Sequence, residues 1–253
     1  MSTYVLYWHM HGIGNVCVKV GVMLKDPISS ATSVAISVAI LVVSCMLHEI
    51  AHGFVAYLLG DDTAKRAHRL TLNPLAHIDP FGSVILPCLM SLAHGPIFGF
   101  AKPVPYNPRR LKGGRLSEVL VALAGPLSNV LQACVALGIV RVLFATNAFK
   151  SMLFQQDITT TMFVYKILMQ YMVVNISLAA FNLIPLPPLD GSSLLGLFLS
   201  GELRRTYEYI QHYSLPILMM VLYVLPSILH FDIISWYVTS VIHFAMEFML
   251  QGL

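Results

Sequence analysis

Apolar positions run in long unbroken stretches along this chain, separated by short polar segments, and the pattern predicts buried helices rather than alternating strands. The clearest stretch begins after Asp26-Pro27, covers residues 28–59 and stops at Gly60-Asp61, with Ser29 and Ser30 as candidate N-caps. It is long enough to cross a bilayer with a turn or two to spare. Further crossings are expected over residues 116–144, 162–181, 214–229 and 233–250, the last two divided by a weak boundary at His230 and Asp232. The stretch 81–92, at about 12 residues, is too short for an ordinary crossing and predicts a re-entrant or β-hairpin element near residues 81–104. Residues 4–24 are apolar but broken by His9, His11, Lys19 and several glycines, too mixed for the core of a signal peptide, so residues 1–27 read as an interfacial or poor membrane segment. The fold class expected is an all-α polytopic membrane protein of about five to six transmembrane helices. It forms one membrane-embedded domain over residues 1–253 with its core at about 28–230.

Composition reinforces this picture. Of 253 residues, 57% are hydrophobic and only 11% charged, and the mean hydropathy is +0.75, far from soluble averages. No fifty-residue block is polar enough for a separate soluble domain. The net charge of +3 is not gathered into a basic patch interleaved with aromatics, which argues against a nucleic-acid partner. Instead, eight of the 15 Lys and Arg residues lie in the two loops between Lys65 and Arg115, and Arg204 and Arg205 lie in a third. The positive-inside tendency places these three loops in the cytoplasm, together with the end of the first span. Cys17, Cys45, Cys88 and Cys134 are scattered without metal-site or disulfide spacing, and Cys45, one turn before His48, reads as packing.

Near the end of the first span stands His48-Glu49-Ile50-Ala51-His52. Histidines four apart share a helix face, so both imidazoles can reach one Zn2+, and the glutamate between them is placed to take a proton from water held there. Ionisable groups at membrane depth are costly and usually functional. A catalytic zinc generally takes a third protein ligand and keeps one position open, and the strongest distant candidate is Asp190, in Asn-Leu-Ile-Pro-Leu-Pro-Pro-Leu-Asp-Gly over residues 182–191. Three prolines in four positions forbid a regular helix there, and irregular backbone at that depth is tolerated only when buried or lining a wet cavity.

His48-Glu49-Ile50-Ala51-His52 together with the 182–191 motif resembles the site-2 protease family of intramembrane zinc metallopeptidases, in its compact bacterial form without PDZ or CBS domains. The loop over residues 70–80, the segment 98–105 and Ala124-Gly125-Pro126-Leu127-Ser128-Asn129 are similar to the family as well, and the likeness covers about residues 31–230 in order. The resemblance implies a zinc-dependent endopeptidase that cuts peptide bonds within or next to transmembrane segments of membrane protein substrates, as in regulated intramembrane proteolysis. It implies one Zn2+ held by His48, His52 and Asp190, with Glu49 as the catalytic acid/base. It further implies that Asn182 holds the substrate backbone or the developing oxyanion, and that residues 98–104 form a membrane-embedded strand able to pair with an unwound substrate. The partners implied are a transmembrane protein substrate and the lipid bilayer, and the location is a bacterial inner membrane with the site toward the cytoplasm. The first 25 residues depart from compact members of the family.

Plainer roles stand beside these. Asp190 before Gly191 suits a turn, Asn182 suits an interhelical or capping hydrogen bond, and His68, His77 and Asp79 suit a polar loop near the headgroups. A divalent metal transporter using the same histidines is the alternative function, although it has no particular use for Glu49.

Overall fold

A computed structural model describes residues 27–79, 102–145 and 160–251. Its long helices are α1 (Pro27–Leu58), α3 (Arg115–Ala145), α4 (Thr160–Asn182) and α9 (Ile233–Leu250). Between them lie a short α2 (Thr63–Arg66), 3-10 turns at Pro74–Ala76 and Pro108–Arg110, α5 (Ser192–Phe198), α6 (Gly201–Gln211), α7 (Ser214–Met219) and α8 (Leu225–Leu229), the last two joined by π-helical backbone over Met220–Val224. No strand occurs among the described residues. The expected re-entrant or hairpin element and the N-terminal segment fall almost wholly outside them.

Four described helices are long and apolar enough to span a membrane, or five when the α6 and α7–α8 pair, bent by 77°, is taken as one span. This is an all-α integral membrane protein, and the expected crossings begin and end within two residues of α1, α3, α4 and α9. Two details differ. Ser29 and Ser30 lie inside α1 rather than capping it. Residues 214–229 form only one limb of the bent pair, short of the roughly 20 residues a straight crossing takes. The polar loop carrying Arg204 and Arg205 is itself helical: α6 places Leu203, Tyr207 and Ile210 on one side and Arg204, Arg205 and Glu208 on the other.

α3 is the central helix, packing against α1 and α4, while α9 covers α4. Its buried side is built from small residues, among them Ala122, Ala124, Gly125, Ala133 and Ala136. Lipid tails are as apolar as leucine, so close backbone approach and interhelical hydrogen bonds must hold such a bundle together. Ala133, Ile176, Ala180, Val238 and Ile242 join α3, α4 and α9 in one cluster, and Ala136, Val140 and Met172 continue it along α3 and α4. Leu41, Phe54, Leu127, Leu131, Val135, Phe244 and Phe248 stay exposed, as a lipid-facing perimeter requires.

α1 ends in a Schellman turn. The Gly60 N–H donates to Tyr57 O, the Asp61 N–H donates to Ala56 O, and Gly60 sits at φ +101°, where a side chain would be strained. Asp61 follows, fully buried. Its carboxylate accepts from the Thr63 amide (3.1 Å) and hydroxyl (2.5 Å) and from the Asn107 amide (2.5 Å). Burial alone pushes this carboxyl up, but those donors, with Arg110 nearby, outweigh it and hold the group below the usual carboxylate range. The end of α1 is thereby tied to the segment that leads into α3.

Candidate metal centre and active site

Helical spacing brings His48 and His52 together, as the sequence predicts. Their Nε2 atoms are 3.0 Å apart and their rings stand edge to face at 81°. Asp190, 138 residues beyond His52 in the chain, comes to the same point: its Oδ2 lies 3.2 Å from His48 Nε2 and 3.4 Å from His52 Nε2. The loop that delivers it is wound on itself, with the Gly191 N–H donating to Asn182 O (2.6 Å) and the Leu189 N–H to Leu186 O (2.9 Å). A Cβ at position 191 would run into the Leu183 carbonyl, so glycine lets the two limbs of the loop close.

The three atoms meet as acceptors. His52 Nδ1 donates to Val121 O at 2.7 Å, which leaves its Nε2 as a lone pair, and Asp190 Oδ2 is buried without a hydrogen-bond donor. Such a grouping is unfavourable unless a cation sits among its members. The separations fit one: ligands about 2.05 Å from a tetrahedral zinc would lie about 3.3 Å from each other, against 3.0, 3.2 and 3.4 Å here. Two imidazoles and one carboxylate, with a position left open, form a donor set of catalytic rather than structural kind. Among the described residues, His48, His52 and Asp190 are the group of this type that could hold a metal ion.

Glu49 stands beside this group in sequence, and its Oε2 accepts from the Val104 N–H at 2.8 Å. Val104 belongs to an irregular segment anchored on its other side, where the Lys102 N–H donates to His77 O (2.9 Å) and Arg69 Nη2 donates to Lys102 O (2.6 Å). Asn182, at the C-terminus of α4, turns its amide Nδ2 back to Leu178 O (3.0 Å) within the same helix, rather than across to another helix. It is not among the three converging groups, and an amide carries a second N–H. His77 is buried in the loop, its Nε2 within 3.0 Å of Thr71 O, and takes no part in the metal group.

Sequence reasoning missed the far side of the centre. α3 runs past the two histidines with Val121, Gly125 and Asn129 at successive turns. Val121 O accepts from His52, Asn129 Oδ1 lies 2.5 Å from His48 Nδ1, and a Cβ on Gly125 would collide with both rings at their metal-facing edge. Pro126 supplies no N–H to Ala122 O and crowds the preceding turn, the turn from which the Val121 carbonyl reaches His52. The signal was present in Ala124-Gly125-Pro126-Leu127-Ser128-Asn129, which reads on its own as a packing motif. Gly125→Ala is expected to push the imidazoles apart, at about 1–3 kcal/mol for overpacking, and to lower zinc affinity more than thermal stability. Competition against a chromophoric chelator checks this, and wild-type affinity would refute it.

Comparison with known proteins agrees with the geometry. The sequence profile described as Peptidase family M50 matches residues 36–225. The chain is 37% identical over 186 residues to "Putative zinc metalloprotease YwhC" of Bacillus subtilis, covering 74% of this chain and 78% of that protein. It is 28% identical over 196 residues to "Putative zinc metalloprotease Rip2" of Mycolicibacterium smegmatis, covering 77% and 69%. The protein of that name from Mycobacterium tuberculosis is 28% identical over 214 residues, covering 83% and 76%. No solved structure matches. The profile spans well over half of the chain and the donor set is one that zinc requires, so the transporter alternative gives way: this chain belongs to peptidase family M50, the site-2 protease family, and is a zinc metalloprotease.

Proposed function

We propose that this metalloprotease hydrolyses peptide bonds within or beside transmembrane segments of other membrane proteins, releasing their fragments by regulated intramembrane proteolysis. The observation that carries the reading is the depth of the converging group. His48 precedes Leu58, the end of the membrane-spanning helix, by ten residues, or about 15 Å of rise. A bond cut there lies inside the bilayer. The catalytic core occupies about residues 28–230 of a single membrane-embedded domain. The basic loops orient the chain in a bacterial inner membrane with the site toward the cytoplasm.

His48, His52 and Asp190 hold one zinc. When bound, zinc supplies a Lewis acid that lowers the pKa of water to about 7 and offsets negative charge on the carbonyl oxygen. Glu49, its Oε2 held by the Val104 amide, offers Oε1 to the attacking water. It takes the proton as water adds to the amide carbonyl and returns it to the leaving nitrogen. The second N–H of Asn182 holds the substrate backbone or the developing oxyanion. A substrate helix hides its carbonyls in its own hydrogen bonds, so it must unwind locally. The backbone at Val104 supplies main-chain groups to an unwound stretch.

The test is reconstitution in liposomes with a panel of transmembrane substrates. Treatment with 1,10-phenanthroline is expected to lower cleavage by at least about a hundredfold, the worth of several kcal/mol of metal assistance, and added zinc to restore it. Mass spectrometry should place the cuts inside the spanning segment, and a helix-breaking residue near the cut should speed them. Cuts confined to soluble loops would overturn the reading.

A further inference from the structure

The interior of the bundle carries a hydrogen-bond chain that the chemistry above does not use. Ser44 and His48 share a face of α1, Asn129 lies on α3 and Asn175 on α4. Ser44, Asn129 and Asn175 are all 0% exposed. Asn175 Nδ2 donates both to Ser44 Oγ (2.9 Å) and to the backbone carbonyl of Tyr171 (2.9 Å). Asn129 Nδ2 donates to Asn175 Oδ1 (2.8 Å), and Asn129 Oδ1 faces His48 Nδ1 at 2.5 Å.

The direction of this chain is set at its far end. A backbone carbonyl can only accept, so Asn175 must turn its NH2 toward Tyr171 O; reversed, it would set oxygen against oxygen in a dry interior. Its Oδ1 then faces Asn129, which must answer with its own NH2 and present its Oδ1 to His48. An acceptor at Nδ1 requires the proton on Nδ1, and the lone pair of the neutral ring is left on Nε2, the atom that faces Asp190 and His52. We infer that Asn129 and Asn175 are positioning residues: a polarised relay across three helices, fixed by the Tyr171 carbonyl, that selects the metal-binding tautomer of His48. His52 reaches the same tautomer more simply, through the Val121 carbonyl. Partners on the second ring nitrogen commonly orient a ligating histidine and raise its basicity, and their loss typically costs about 10–100-fold in metal affinity. The relay rests on the assignment of His48 as a zinc ligand, and it explains why polar side chains outside the converging metal group are fully buried between the helices.

The test uses the full-length protein in detergent, with zinc affinity measured by chelator competition and thermal melting of the metal-free form measured in parallel. Asn129→Ala is expected to weaken zinc binding by about 10–100-fold. Asn175→Leu, which touches no ligand, should weaken it by a smaller factor, since Asn129 is then free to reverse. Asn129→Asp keeps an acceptor on His48 but sets oxygen against Asn175 Oδ1, so zinc affinity should stay within a few-fold of wild type while the metal-free melting temperature falls. That divergence is what simple packing would not produce. In metal-free protein carrying 15N-labelled histidine, the His48 proton should reside on Nδ1 and should lose that preference in Asn129→Ala. Wild-type zinc affinity in Asn129→Ala, or in Asn175→Leu where Asn129→Ala does not fold, would overturn the relay. So would equal loss of affinity in Asn129→Asp and Asn129→Ala. Asp190→Ala is the control: if it too leaves zinc bound, the metal site itself has been misassigned, whereas loss in Asp190→Ala alone refutes only the relay.

Discussion

Glu49→Gln is expected to leave zinc in place and reduce cleavage by about 10²–10⁴-fold, the usual contribution of a positioned acid/base, or about 3–5 kcal/mol in the barrier. Glutamine matches glutamate in size and keeps an oxygen that can accept from the Val104 N–H, so the segment around Val104 should stay where it is. What it lacks is basicity: an amide cannot take a proton from water near neutral pH, nor carry one to a leaving nitrogen. The loss should therefore appear in kcat, with KM little changed, because substrate and segment meet as before. Metal content by mass spectrometry and cleavage of one transmembrane substrate, compared side by side, decide the matter. Equal cleavage by the variant would remove Glu49 from the reaction. A variant that loses zinc would show instead that Glu49 holds the site together.

Asp190→Ala should act the other way, removing metal first and activity as a consequence. Structural zinc sites bind with on the order of 10–16 kcal/mol over four ligands, so one ligand is worth about 3 kcal/mol, or about 10²–10³ in affinity. The burial of Oδ2 without a hydrogen-bond donor adds a second expectation. In the metal-free protein that oxygen is an uncompensated acceptor, and removing it should stabilise the apo form or leave it unchanged, even as the zinc-bound form is lost. A turn residue would behave in reverse, because its deletion would unsettle the 183–191 loop with or without metal. Unchanged zinc content in Asp190→Ala would return Asp190 to that structural role.

How far the sequence could be read differs between these residues for physical reasons. His48 and His52 are four apart on one helix, so their meeting follows from helical geometry alone. The bounds of α1, α3, α4 and α9 were legible because lipid demands apolar runs of a set length and polar residues mark where they end. Asp190 could be singled out, as an acid in proline-broken backbone at the end of a span. Its arrival between two imidazoles depends on how α1, α3 and α4 pack, which no local pattern encodes. α6 reads as a polar loop in the sequence because Arg204 and Arg205 mask the recurrence of Leu203, Tyr207 and Ile210. Asn129 closes the Ala124–Asn129 motif, where helix packing alone accounts for the pattern. Asn175 and the bond from the Val104 amide to Glu49 were illegible, since a single asparagine in an apolar run looks like tolerated polarity, and a backbone N–H is the same at every residue but proline.

The backbone before α3 is moored at two points, to α1 by Val104 on Glu49 and to the turn just past the end of α1 by Asn107 on Asp61. A guest peptide laid along that backbone would take its alignment from the same rod that carries both histidines. If the proposed pairing holds, that rod acts as a ruler: the point of scission would be fixed by distance along α1 rather than by the side chains of whatever is cut, and a varied set of sequences could be severed at one common depth.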